Sequence, residues 1–221
     1  MVIVHHLENS RSQRILWALE ELNVPYEVKR YERNKKTSLA PESLKKVHPL
    51  GKSPVITDNG VTVAESGAII EYLVGKYGDG ELTLSSGTAE HREYIYWLHF
   101  AEGSLMPQLL LKLVFDKVKS GPMPIFAKPI AKMISKKVMA SYVGPNIRDN
   151  LTFIDNHLAN NAWFAGNKLT GADLQMSFPL EASVASGVAD KYPNIKAYVQ
   201  RIHARPAYQK ALETGGPYDY A

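Results

Sequence analysis

Around residue 80 the hydrophobic rhythm of the chain changes, and that change limits the possible folds more than any other feature. Before it, short β-branched or alternating runs are interleaved with helical spacing; after it, only helical spacing remains. Val2-Ile3-Val4 reads as a short strand, and the stretch from Ser12 to Leu22 places Ile15, Ala18, Leu19 and Leu22 at helical intervals. Asn23-Val24-Pro25 ends that helix, and Tyr26-Glu27-Val28-Lys29-Arg30-Tyr31 alternates like a half-exposed strand. A β-α-β unit of this kind takes a right-handed crossover and parallel strands. Ser53 to Val63 then reads as two short strands about an Asp58-Asn59-Gly60 turn, and a helix is expected from Ser66 to Tyr77.

Gly, Ser and Thr collect between residues 78 and 89, as in a linker. The expected organisation is an α/β thioredoxin-like domain over residues 1–79, a linker over 80–88 and an all-α helical bundle over 89–221. In the second half Ile95, Leu98, Leu105, Leu109 and Leu113 recur on one face of an expected long helix kinked at Pro107. Ile147, Leu151, Ile154 and Leu158 form a second stripe, and Ile195, Tyr198, Val199 and Ile202 a third. Thr170 and Asp173 have the spacing of a capping box.

None of the 221 residues is cysteine, which excludes disulfides, thiolate metal sites and a cysteine nucleophile. Any thiol chemistry must use a borrowed thiol. Lys and Arg total 26 against 22 Asp and Glu, and a net charge of +4 does not mark a nucleic-acid binder. The lysine clusters at 35–36, 45–46 and 128–137 read as solvated helix faces. No run of about 18 apolar residues supplies a transmembrane segment, and no basic-then-apolar leader is evident, so a cytoplasmic location is expected. His5 and His6 are neighbours on a strand and point to opposite faces, so no metal site is predicted from them.

Two segments together, His48 to Ile56 (HPLGKSPVI) and Ala64 to Ile70 (AESGAII), resemble the cytosolic glutathione transferase superfamily. Phe100 to Leu105 and Leu169 to Ser177 extend the likeness over nearly the whole chain. Among known branches it is most similar to the fungal transferases of the yeast membrane-associated type and their bacterial relatives. The resemblance implies a glutathione S-transferase acting in detoxification as a homodimer, with glutathione as co-substrate and no metal. Such an enzyme activates the glutathione thiol as a thiolate for addition to a small hydrophobic electrophile, and some members reduce hydroperoxides. The same fold also serves glutathione-dependent isomerases and dehalogenases and non-catalytic binding or assembly modules, since fold alone does not fix function.

The resemblance also assigns roles. Pro54 stands where the family has a cis-proline, and the backbone N–H and C=O of Val55 would pair with the cysteinyl portion of glutathione like an added strand. Ser66, at a helix start, would meet the glutamyl carboxylate and Glu65 the ammonium, while Lys52, with His48, would meet the glycyl carboxylate. A free thiol of pKa about 8.5 is only a few per cent ionised at neutral pH. One hydrogen bond to the thiolate, roughly 1.5–3 kcal/mol, lowers that pKa by about one to two units. In serine-type members the hydroxyl lies four or five residues before an arginine resembling Arg14. Ser10 meets the shorter spacing and is the expected donor; Asn9 meets the longer and is the alternative. At least one of Ser10 and Ser12 is expected to cap the following helix. Phe100, Met106 and Leu110 are divided between helical core and electrophile pocket, and the tail from Pro217 to Tyr220 has no assigned destination.

Overall fold

A computed structural model describes residues 1–221. The first half holds strand β1 (Val2–Leu7), helix α1 (Gln13–Glu21), β2 (Tyr26–Tyr31), β3 (Val55–Asp58), β4 (Val61–Ala64) and α2 (Ser66–Tyr77). The sheet order is β2-β1-β3-β4; β1 runs parallel to β2 with Val2 beside Tyr26, and antiparallel to β3 with Val2 beside Asp58. The β3–β4 turn carries Asn59 and Gly60 at φ of 48° and 87°. Left-handed values at both positions match the twist of a two-residue hairpin, which is why Asn-Gly stands there. This mixed sheet with its helices is the thioredoxin-like half of the fold.

The second half is helical: α3 (Ala89–Phe100), α4 (Met106–Ser120), α5 (Ala127–Val138), α6 (Gly144–Asn160), α7 (Gly171–Ala185), α8 (Pro193–His203) and α9 (Pro206–Gly215). Two π turns, Ala101–Leu105 and Met139–Val143, lead into α4 and α6. Each ends just before a helix-borne proline, Pro107 and Pro145. A proline ring clashes with the carbonyl four residues back, and widening the preceding turn avoids the clash. The Met106 N–H accordingly bonds the Ala101 carbonyl, five residues back. The irregularity expected at Pro107 is thus a π turn on its N-terminal side.

One continuous apolar core runs from the sheet into the bundle, joining Val2, Ile15 and Ile70 to Tyr94, Leu151, Leu180 and Tyr198. The stripes on α6 and α8 are buried as their spacing requires. Gly171 marks the junction of α7 with α2 and α3: a Cβ there would lie 2.7 Å from Ile70 Cγ2 and 3.0 Å from the Tyr94 hydroxyl. At the start of α7 the capping box is formed, with Asp173 accepting from the Thr170 N–H at 2.8 Å and from the Phe164 N–H at 2.9 Å. α9 packs along α1, and Arg205 reaches the Glu21 carboxylate there through Nε and Nη2.

The first apolar stripe of the bundle is shorter than its periodicity implies. Leu98, Leu105 and Leu109 are buried, but Leu113 is 51% exposed. Leu109 is the one buried residue of α4 and Ser135 the one buried residue of α5, so beyond its first turn α4 has no core beneath it. No helix is long and apolar enough to cross a membrane.

Candidate functional site

A cleft of ≈ 600 Å³ opens where the β1–α1 turn, the loop before β3, the start of α2 and the α3–α4 junction meet. Asn9, Ser10, His48, Lys52, Glu65 and Ser66 all line it, so six of the seven residues singled out in the sequence converge. Val55 does not. It is 1% exposed and lies between His5 on β1 and Ala64 on β4, so its backbone meets a neighbouring strand on either side. Ser53 and Pro54 line the cleft in its place, and the peptide bond between them is cis.

At the β1–α1 turn Ser10 is 5% exposed. Its Oγ lies 2.8 Å from Ser12 Oγ and accepts from the Ser12 N–H at 3.2 Å. Ser12 stands at the N-cap of α1, yet neither hydroxyl caps the helix. An N-cap side chain reaches back over the first turn from an extended backbone. Ser12 is helical instead, at φ −67° and ψ −19°, and its Oγ turns to His6 Nδ1 at 2.9 Å and to the Leu7 N–H at 3.2 Å. Burial, with the charge of Arg30 adding to it, pulls His6 down to about 4, so its ring is neutral at physiological pH. His5, on the other face of the strand, bonds the Tyr31 hydroxyl at 2.9 Å.

Asn9 takes φ +47° and is tied to the C-terminal tail. Its Nδ2 donates to Asp219 Oδ2 at 2.7 Å, and its Oδ1 accepts from the Asp219 N–H at 2.9 Å. Tyr218 donates to Glu181 Oε2 at 2.6 Å, and the Tyr220 ring meets Phe178 edge-on at 5.5 Å. The tail is therefore docked on its own subunit beside the cleft.

Glu65 holds φ +70° and ψ 123° immediately before α2. That conformation costs a non-glycine residue about 1–3 kcal/mol, and such strain collects where a side chain must face a ligand. Ser66 begins α2, is 4% exposed, and accepts from Gln175 Nε2 of α7 at 3.1 Å. Its own hydroxyl hydrogen stays free to donate beside a helix N-terminus that favours anions.

The opposite wall is built by the π turn before α4. Glu102 accepts from Arg11 Nε at 2.8 Å and Arg14 Nη2 at 3.2 Å, and both guanidinium groups lie over the Phe178 ring at 5.2 and 5.4 Å. Burial pushes the Glu102 carboxyl up, but Arg14 and Arg11 outweigh it and hold the group below its usual range. Leu110 lines the cleft at 50% exposure, whereas Phe100 belongs to the core and Met106 packs against it.

Sequence reasoning missed Ser53, Gln175, the Arg11–Glu102 pair and Asp219. Ser53 and Gln175 stand inside segments that carried the resemblance, and their place beside Pro54 and Asp173 was the available signal. Nothing local in the sequence pairs residue 9 with residue 219.

The family model described as "Glutathione S-transferase, N-terminal domain" matches residues 1–75, and that described as "Glutathione S-transferase, C-terminal domain" matches residues 122–206. Glutathione S-transferase 3 of Schizosaccharomyces pombe is 44% identical over 214 residues, covering 96% of this chain and 87% of that protein. Glutathione S-transferase 1 of Saccharomyces cerevisiae is 32% identical over 222 residues, covering 96% and 94%. The crystal structure of a glutathione S-transferase from Actinobacillus pleuropneumoniae superposes with a TM-score of 0.83 at 35% identity, covering 100% of this chain and 95% of that one.

Proposed function

The chain belongs to the glutathione S-transferase family, and from that premise we propose that Ser10 turns bound glutathione into a thiolate for attack on a small hydrophobic electrophile. The observation that carries the reading is the position of Ser10 in the lining of the cleft beside the start of α1. In the reaction the thiol proton passes to solvent, Ser10 donates its hydroxyl hydrogen to the sulfur anion, and the sulfur forms the new bond to the electrophile. The Asn9 amide, engaged on both its polar atoms by Asp219, is the poorer donor.

The tripeptide lies along the cleft in this reading. Glu65 meets its ammonium, and Ser66 with the first N–H groups of α2 meets the glutamyl carboxylate. Lys52 and His48 meet the glycyl carboxylate. The strand-like pairing with the cysteinyl portion, first assigned to Val55, passes to Ser53, which precedes the cis bond and lines the cleft. The electrophile takes the side walled by Leu110, Phe178 and the Arg11–Glu102 pair, where a methyl or aryl surface meets apolar and π surface. Hydroperoxide reduction would use the same thiolate.

A homodimer fits the exposed apolar faces of α4 and α5, where Leu113, Val114 and Val118 stand with Ile130, Met133 and Ile134 at 42–64% exposure. Contiguous apolar surface of this kind is uncommon on a monomer. A cytoplasmic setting and a detoxifying role go with the reading, because the cytoplasm maintains the reduced glutathione pool.

The test is the ultraviolet thiolate absorbance of bound glutathione against pH in the wild type, Ser10→Ala and Asn9→Ala. A bound pKa about one to two units below the free value, lost in Ser10→Ala and kept in Asn9→Ala, supports the assignment. An unshifted thiol in the wild type removes thiolate activation from the reading, and a loss confined to Asn9→Ala moves the role to Asn9.

A further inference from the structure

Two arginines share one carboxylate oxygen on the electrophile side of the cleft. Glu102 Oε1 accepts from Arg11 Nε at 2.8 Å and from Arg14 Nη2 at 3.2 Å. The two cations are not equivalent. The Arg14 side chain is 0% exposed and its Nε and Nη1 are buried with no partner, so Glu102 is the one anion it hydrogen-bonds. A buried cation stripped of its counterion is strongly disfavoured, which commits the Glu102 charge to Arg14. Glu181 on α7 bonds Tyr208, Tyr218 and His203 and neither arginine. The charge left over in the group is that of Arg11.

Arg11 lines the cleft with its side chain 33% exposed. Its Nη1 and Nη2 make no hydrogen bond within the protein and, unlike Arg14 Nε and Nη1, are not buried. Glu102 fixes Nε, and the Phe178 ring, its centroid 5.2 Å from the guanidinium carbon, supports the group along one side. Phe178 is held in turn by Tyr220, edge-on at 5.5 Å. A planar cation held in this way presents its remaining N–H donors as a preset fork. Arg11 directly follows Ser10 in the chain and both line the cleft, so the fork stands close to the group assigned to the sulfur. Leu110 and Phe178 add apolar surface to the same lining.

We propose that Arg11 is a catalytic residue for the electrophile, donating from Nη1 and Nη2 to an oxygen on which negative charge gathers, and that the preferred substrates are conjugated carbonyl compounds with an apolar body. The proposal rests on the reading of this cleft as a thiolate-forming site. In the addition, the thiolate sulfur forms a bond to the β carbon of an enone. The C=C π pair moves to join Cα to the carbonyl carbon, and the carbonyl π pair becomes a lone pair on oxygen. The charge that sat on sulfur thus arrives on an oxygen at the far end of the conjugated system. The enolate then takes a proton from solvent at Cα, which restores the carbonyl. Donors fixed where charge develops bind the transition state more strongly than the ground state. Displacement on an alkyl halide gains less, because the halide departs on the side opposite the sulfur and accepts hydrogen bonds weakly.

The experiment compares conjugation of glutathione with benzylideneacetone and with benzyl chloride in wild type, Arg11→Leu and Arg11→Lys, with KM for glutathione measured alongside. Removing one oxyanion donor from an enclosed site costs roughly 10²–10³ in rate, and partial exposure of the guanidinium screens some of that effect. In Arg11→Leu, kcat/KM should fall about thirtyfold for benzylideneacetone and about threefold or less for benzyl chloride, a change of about tenfold in preference. Arg11→Lys keeps the charge without the fork and should lie between wild type and Arg11→Leu. A second measurement needs no variant to fold. The glutathione adduct of benzylideneacetone is compared, as an inhibitor of the wild type, with the same adduct carrying a carboxylate in place of the methyl ketone, a permanent anion where the enolate oxygen forms. The carboxylate adduct should bind about tenfold more tightly. Equal losses with both electrophiles, a loss that appears in KM for glutathione, or a carboxylate adduct bound no more tightly than the ketone overturns the role of Arg11. With wild-type turnover of benzyl chloride intact, any of these leaves the thiolate reading standing; a wild type that conjugates neither electrophile removes both.

Discussion

Asn9 and Asp219, 210 positions apart in the chain, hold each other through two hydrogen bonds of 2.7 and 2.9 Å. One comes from the Asn9 amide to the carboxylate and the other from the Asp219 backbone to the Asn9 carbonyl oxygen. The pair fixes the turn that carries Ser10 by fastening it to the tail. Asn9→Ala and Asp219→Ala should each lower stability by about 1 kcal/mol, and the double variant by little more than either, because the two share one interaction. Urea titrations of the four proteins measure this; additive losses would show that the residues act separately.

Glu65 separates strain from binding. Glycine tolerates φ +70° freely, so Glu65→Gly should raise stability by about 1 kcal/mol once its own entropy cost is subtracted from the relieved strain. Glu65→Gln keeps the strained backbone and should leave the melting temperature within about 2 °C. Both variants should raise the KM for glutathione about tenfold or more through loss of the carboxylate. A Glu65→Gly protein less stable than wild type would show that the backbone at this position is relaxed.

Acid sensitivity should come in stages. His6 lies at about 4 in the fold, below its free value near 6.5, so its contribution is complete above that value and is lost as pH falls from 6.5 toward 4. Burial alone would raise the Asp58 carboxyl, but hydrogen bonds from Lys76, Tyr77 and Tyr72 overcome it and hold the group at about 2. Its contribution is complete above about pH 4 and is lost between there and pH 2. Asp173 runs the other way between pH 4 and 6, because burial raises it to about 6 and the folded protein takes up its proton first. Urea midpoints against pH should therefore be flatter for Asp58→Asn below pH 4 and flatter for His6→Leu between pH 6.5 and 4. Curves parallel to wild type would remove these groups from the acid transition.

The exposed face of α4 and α5 should be an association surface. Ile130→Glu with Met133→Glu puts two charges into it, and sedimentation should show a dimer in the wild type and a monomer in the double variant. A wild type that sediments as a monomer at micromolar concentration would end the dimer reading.

The strand and helix order was legible because Val2 to Val4, Tyr26 to Tyr31 and the Asn59-Gly60 turn are local signals whose meaning depends on neighbours a few residues away. Six cleft residues were legible for another reason: the segments at 48–56 and 64–70 carry recognisable strings. That Val55 lies inside the sheet was not legible, because a sequence does not show that its strand is flanked on both sides. That Leu113 stands outside the core was not legible, because periodicity gives the direction of a helix face but not whether a core lies under it. The His6–Ser12–Ser10 chain was hidden because a serine before a helix most often caps it, and the competing His6 ring becomes visible only with the turn folded over β1.

The docking of α9 on α1 and of the tail on the β1–α1 turn also sets a timetable. At about 5–20 residues per second, the 210 positions between Asn9 and Asp219 occupy the ribosome for on the order of 10–40 s. For most of that interval β1 and α1 are outside the tunnel, while α9, which packs along α1, and Asp219, the partner of Asn9, are not yet made. The nascent chain thus carries its reactive turn in an unfinished state, and the cell's thiol pool meets a finished cleft only when synthesis has reached α9 and the tail.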